Sequence, residues 1–126
     1  MRDYKKLRVW ECAHTLAINV RRATARFPPS GYAPLKAQII SAAESIVSNI
    51  VEGAGASTQP EFARFLDISI KSATELQGKL ELARDYHVLD HRTWESLNDD
   101  VVSTRRQTIA LRKAIIDRDR DSRGSD

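Results

Sequence analysis

Few residues in this chain are of types that do chemistry, and their spacing works against it. Cys12 and His14 stand two apart on what reads as one helix, so they point about 200° away from each other and cannot act as nucleophile and base within one chain. Cys12 borders an apolar stripe and reads as a partly buried, inert thiol. His87 and His91 have the four-residue spacing that suits a metal on a helix, but the intervening Val88-Leu89-Asp90 reads as a connection between helices. A di-iron bundle needs Glu-x-x-His pairs that project inward, and none does so here. The run Gly53-Ala54-Gly55-Ala56-Ser57-Thr58 lacks both the third glycine and the preceding strand of a phosphate loop, which leaves it as a turn. No catalytic, cofactor or metal site is therefore expected.

Polar groups near the core edge serve a structural purpose on this reading. Asn49 lies about 60° from the centre of an apolar face, taking 100° per residue. Glu52 stands at the glycine-rich end of the same helix, Gln38 offers a second amide, and Glu75 is a counterpart on an outer flank of the next helix. An amide without a partner in a core costs about 1 to 3 kcal/mol, so such groups fix register when they are satisfied. One surface points outward toward a ligand. Arg8, Arg22 and Arg26 share the side of the first helix opposite its apolar seam, with Ile18 among them and Arg21, Lys5 and Lys6 nearby. Residues 1–31 hold seven Lys/Arg against two Asp/Glu, although the whole chain is only +3. Such a face can contact phosphates. With aromatic residues at 6%, it has no interleaved rings on which single-stranded bases could stack.

These positions must be held by helices. At 126 residues the chain has the size of one domain, its single cysteine excludes an internal disulfide, and no apolar run approaches the roughly 18 to 20 residues of a membrane span. No apolar leader is seen at the start, and a cytosolic setting is expected. The first helix is expected over residues 7–27, with Val9, Ala13, Leu16, Val20, Ala23 and Phe27 as its seam. Pro28, Pro29 and Gly31 end it. The second covers 34–53. The third begins near 58–61, where Thr58 and Glu61 suggest a capping box disturbed by Pro60, and its seam is Phe62, Phe65, Leu66, Ser69, Ala73, Leu76, Leu80 and Ala83. The fourth, from Asp90 or Thr93, carries Trp94, Leu97, Val101, Thr104, Thr108, Leu111 and Ile115. Short connections make neighbours antiparallel, hence an all-α, up-down-up-down four-helix bundle over residues 1–116. Residues 117–126 alternate Asp and Arg with nothing apolar to bury and read as a disordered tail.

The second helix carries one stripe too many. Leu35, Ile39, Ala42, Ala43, Ile46 and Ile50 form a face wide enough for the core, yet Ile40, Val47 and Val51 fall on another. A second β-branched stripe implies a second surface to bury, most simply against another copy of the chain.

Several motifs, in order, resemble one family. They are Leu7-x-Val9-Trp10-x-x-Ala13, Phe27-Pro28, Tyr32-x-x-Leu35-x-x-Gln38, Ser45-Ile46-x-x-Asn49-Ile50-x-Glu52-Gly53, Glu61-Phe62-x-x-Phe65-Leu66 and Ser72-x-x-Glu75-Leu76. Between Tyr4 and Ile116 the chain is similar to the bacterial four-helix bundles encoded in intervening sequences of large-subunit ribosomal RNA genes. The resemblance implies a cytosolic homopentamer without enzymatic activity. The same family includes basic accessory proteins of diversity-generating retroelements, which bind nucleic acid and a reverse transcriptase. Where the family often carries arginines, this chain has Ile40, Ser41 and Ala56, and Val47 stands where proline is usual. These exchanges weaken the nucleic-acid reading and strengthen the oligomer. The function expected is thus a non-enzymatic homo-oligomeric scaffold, pentamer preferred. The alternative is a weak, sequence-independent nucleic-acid binder using Arg8, Arg21, Arg22 and Arg26.

Overall fold

The computed structural model describes residues 2–124. A short 3₁₀ turn, Tyr4–Lys6, leads into α1 (Arg8–Thr24), α2 (Ala33–Ala54), α3 (Gln59–Asp85) and α4 (His91–Gly124), with no strand among the described residues. Each helix touches the next and α4 returns to α1, while α1 and α3, like α2 and α4, stay apart as diagonals. Cross-helix pairs give the directions. Ser45 of α2 meets Ser72 of α3, Gly53 meets Phe62, and Arg105 and Arg112 of α4 reach Gln77 and Asp67 of α3. Cys12 near the start of α1 meets Gln107 in the middle of α4, and Arg22 near the end of α1 lies beside Arg92. Chain positions rise on one partner as they fall on the other, so these neighbours are antiparallel.

The expected seams form the core. Val9, Ala13, Leu16 and Val20 of α1, Ile39, Ala42, Ala43, Ile46 and Ile50 of α2, the α3 seam except half-buried Phe65, and Leu97, Val101 and Ile115 of α4 are buried together. Thr104 and Thr108 are buried with them, and Thr108 donates to the Thr104 carbonyl at 2.7 Å. A threonine hydroxyl satisfied within its own helix costs a seam little.

The helix ends follow local chemistry. α1 stops at Thr24, three residues before Phe27, because the Thr24 hydroxyl bonds back to Val20 and Arg21 while the N–H groups of Arg26 and Phe27 turn to Ala23 and Thr24. Such tighter bonds close a helix C-terminus and let Phe27 fold back into the core. Thr58 caps α3 by accepting from the Glu61 N–H at 3.2 Å, with Pro60 accommodated in the first turn, so the capping signal prevails. After α3, Val88 N–H returns to Ala83 and His87 N–H to Arg84, a Schellman turn with His87 at φ 61°. That conformation separates His87 from the helix carrying His91, which faces Glu95 at 3.7 Å.

At the far end α4 continues past Ile116. Residues 117–124, expected to have no structure, are helical, and Ser125 and Asp126 of the same stretch lie outside the described residues. Opposite charges stand four apart at two places: Lys113 and Asp117 at 3.1 Å and, where Ser122 breaks the alternation of Asp and Arg, Asp119 and Arg123 at 3.2 Å. Pairs of this kind add about 0.2 to 0.5 kcal/mol each to a helix, and Ile116 and Asp119 also lie against Gln59 and Pro60 of α3.

Asp90 starts α4, accepting from the Thr93 N–H at 2.9 Å and the Thr93 hydroxyl at 2.8 Å. These bonds, the backbone one first, hold its carboxyl below the ordinary value of 3.8. A lowered carboxyl contributes stability that is full above the unfolded value and is lost as pH falls through the folded one. Asp90→Ala is therefore expected to melt below the wild type at pH 7, with the difference shrinking below about pH 3.8. Thermal melts across pH 7 to 2.5 check this, and a difference independent of pH would contradict it.

Candidate functional site

Two kinds of polar and charged position were legible in the sequence, and the structure sorts both. Of the structural group, Asn49 donates to the Ser45 carbonyl at 2.8 Å and to its hydroxyl at 3.1 Å. The Ser45 hydroxyl meets that of Ser72 at 2.7 Å, and Ser69 donates to the Ile46 carbonyl at 3.0 Å. Asn49 therefore tunes the contact between α2 and α3 through Ser45. Gln38, Glu52 and Glu75 are exposed and form no side-chain hydrogen bond among the described residues, so they do not join this network. All three turn to solvent, Glu75 on the outer flank expected of it, and none makes the structural hydrogen bonds expected of the group. Ser45, Ser69 and Ser72 were the missed members, although two of them stand in the quoted motifs.

The charged group is divided by α1, which has a groove on either side. Between α1 and α2 lies a groove of about 570 Å³ with Ala17, Ile18, Ile40 and Val47 on its walls and His14, Arg21, Arg22 and Glu44 around them. Ile18 is 40% exposed, and Ile40 and Val47 are half-buried. The outward isoleucine of α1 and the second stripe of α2 are thus one surface. Val51, also half-buried, stands one turn beyond Val47 on that stripe and does not line the groove. His14 is stacked on Trp10, 4.8 Å between ring centres, and both His14 and Glu11, which share Glu-x-x-His spacing, are exposed.

Between α1 and α4 lies a second cleft, about 450 Å³, containing Arg8, Glu11, Cys12, Asp100, Ser103 and Thr104. Burial, helped by the neighbouring charge of Asp99, pushes the Asp100 carboxyl up. Cys12 lies against Gln107, whose amide approaches the sulfur at 3.4 Å. Arg8 is therefore set among carboxylates, away from Arg22 and Arg26. Further along the same helix pair a notch of about 300 Å³ gathers Arg22 of α1 and Arg26 just beyond its end with Arg92 of α4, beside Asn19, Thr93 and Ser96 and over Ala23 and Leu97. Of the three arginines expected on one face, Arg8 thus stands apart from Arg22 and Arg26, and Arg21, expected nearby, lines the groove between α1 and α2. Arg92 was missed. The available signal was its place two residues after a helix cap, where the positive end of the helix disfavours a cation.

This is a four-helix-bundle protein whose outward features gather along one helix and whose chemistry-bearing side chains are dispersed. Residues 5–110 match the family model described as 23S rRNA-intervening sequence protein, and the chain belongs to that family. Its fold is similar to the crystal structure of a protein of unknown function from the S23 ribosomal protein family of Bacteroides thetaiotaomicron VPI-5482. The TM-score is 0.75 at 22% identity, over 83% of this chain and 98% of that one. No curated protein matches the chain significantly. Among the described residues no helix is long and apolar enough to cross a membrane.

Proposed function

We propose that the chain is a non-enzymatic scaffold that assembles with copies of itself, preferably as a pentamer. The observation that carries this is the aliphatic wall of Ile18, Ile40 and Val47 in the groove between α1 and α2. Those side chains are left half-covered by their own bundle, and a second copy is the simplest cover for a stripe that a lone bundle has no use for. The pentamer comes from the family resemblance, since the groove itself sets no number of copies. Light scattering coupled to size exclusion is expected to give about five times the 14.2 kDa of one chain. A single-chain mass at micromolar concentration overturns the proposal.

A second reading, sequence-independent binding of nucleic acid along α1, is favoured by Arg22, Arg26 and Arg92, none of which has an ion pair among the described residues. Phosphate contacts would make such binding collapse as salt rises. Repetition around an assembly would let weak contacts add.

A further inference from the structure

We propose that Arg22, Arg26 and Arg92 form a notch that binds a phosphoryl group, with Asn19 and Ser96 as neutral hydrogen-bonding neighbours. The proposal deepens the second reading, from which it takes α1 as a phosphate-facing helix, and it can fail separately from it.

The argument begins with like charges. Arg22 stands in the last turn of α1 and Arg26 two residues beyond its end, and both line one notch that has no carboxylate on its walls. Arg92 enters from another helix and lies in the first turn of α4, against the direction that the helix dipole favours. Antiparallel packing brings all three to one notch. The neighbouring carboxylates are engaged elsewhere: Asp90 accepts both donors of Thr93, and Glu95 faces His91. Across the notch, the carbonyls of Arg21, Ala23 and Thr24 at the end of α1 are occupied by the Thr24 hydroxyl and by the N–H groups of Ala25, Arg26 and Phe27, which blunts the negative end of that helix. An anion seated between the three guanidinium groups would relieve each of these placements at once. Phosphoryl oxygens suit the task, because a guanidinium fork donates two parallel hydrogen bonds to them. The size of the notch, about 300 Å³, lies at the lower end of ligand pockets. It has room for a phosphoryl group or a pyrophosphate and no aromatic platform for a base. The phosphoryl group can belong to a small ligand or to a polynucleotide backbone.

The test titrates the full chain with pyrophosphate by calorimetry, and with a fluorescent oligothymidylate by anisotropy, at two salt concentrations. The variants are Arg26→Gln, Arg92→Gln and, as a control outside the notch, Arg8→Gln. Pyrophosphate is expected to bind saturably, about tenfold or more weaker in Arg26→Gln and Arg92→Gln, and unchanged in Arg8→Gln. If a polynucleotide supplies the phosphate, the oligothymidylate weakens with the same two variants, and its logarithmic salt slope falls by about one for each arginine removed. Pyrophosphate held through Arg92 without any oligothymidylate binding supports the notch and rejects the polynucleotide reading. Absence of pyrophosphate binding, or pyrophosphate binding indifferent to Arg92→Gln, overturns the notch; oligothymidylate binding that survives Arg92→Gln in that case leaves the polynucleotide reading standing at another site. All three positions are exposed, so unchanged melting curves are expected to show that the variants remain folded.

Discussion

Gly53→Val is expected to destabilise the bundle by about 3 kcal/mol, whereas Gly78→Ala is expected to stabilise it by about 1 kcal/mol. Both glycines lie inside helices, α2 and α3 respectively, so propensity alone predicts a gain at Gly78 and a neutral-to-favourable change at Gly53. Their surroundings set them apart. A Cβ on Gly53 would come within 2.8 Å of the Phe62 ring and 3.1 Å of the Phe65 Cβ, while one on Gly78 meets nothing within 4 Å. Phe62 is 1% exposed and cannot turn away without disturbing Leu66 and the floor of the core, and the Phe65 Cβ is fixed to its backbone. A branched side chain must therefore push α2 away from α3, where Ser45 and Ser72 hold them together. Urea unfolding at fixed chain concentration measures both effects; the concentration is fixed because assembly would shift apparent stability. Phe62→Leu is expected to recover part of the loss in Gly53→Val and to be harmful alone, the signature of direct contact in a double-mutant cycle. Equal, small effects at Gly53 and Gly78 would mean that the close approach of α2 and α3 is not tightly packed.

The fold was legible because burial has a period. Val9, Ala13, Leu16 and Val20 repeat at the spacing of a bundle seam, and the structure buries each of them. Thr24, equally buried, was invisible to that pattern because its hydroxyl is spent inside its own helix. Helix ends were less legible. Asp, Arg and Asp in succession look like a solvated tail, yet Ser122 breaks the alternation and leaves Arg123 four residues after Asp119, a pairing that suits a helix. The surfaces were the hardest to read, since they depend on which helices stand side by side. Helical projection placed Arg8 with Arg22 because it knows only angle; the two stand about 21 Å apart along the axis at 1.5 Å per residue. Arg92 joins Arg26 only after α4 has been folded back against α1. Conversely, Ile18, Ile40 and Val47 were each marked as outward apolar residues, and only packing shows that they line one groove.

Val47→Glu is expected to reduce the assembly to single chains while leaving each chain folded. Within one chain Val47 is half-buried on the wall of an open groove that Arg21 and Arg22 also line. A glutamate there reaches water and two guanidinium groups, so its cost to the isolated bundle is small. Covered by another copy, the same carboxylate would lose its water, and removing a charge from water costs several kcal/mol unless a partner is placed for it. Fully burying an aliphatic side chain of this size gains roughly 1.5 to 3 kcal/mol before association costs are met. Ile40, Val47 and Val51, repeated in every copy, are the side chains on which the proposed assembly rests, and one charge among them is expected to undo it. A closed ring of five joins unlike surfaces, so the groove must meet another part of the next chain. Ile109, 48% exposed on α4, diagonal to α2, is the aliphatic residue available for that role. Light scattering is expected to show the mass of a single chain for Val47→Glu and for Ile40→Glu, with helical circular dichroism unchanged, and a reduced assembly for Ile109→Glu. Arg92→Gln, remote from the groove, is expected to assemble as the wild type does. Normal assembly of Val47→Glu would remove the groove between α1 and α2 from the interface. Dissociation of Arg92→Gln would instead place the contact at the arginine notch, where an acidic surface of the next copy would take the position proposed for phosphate.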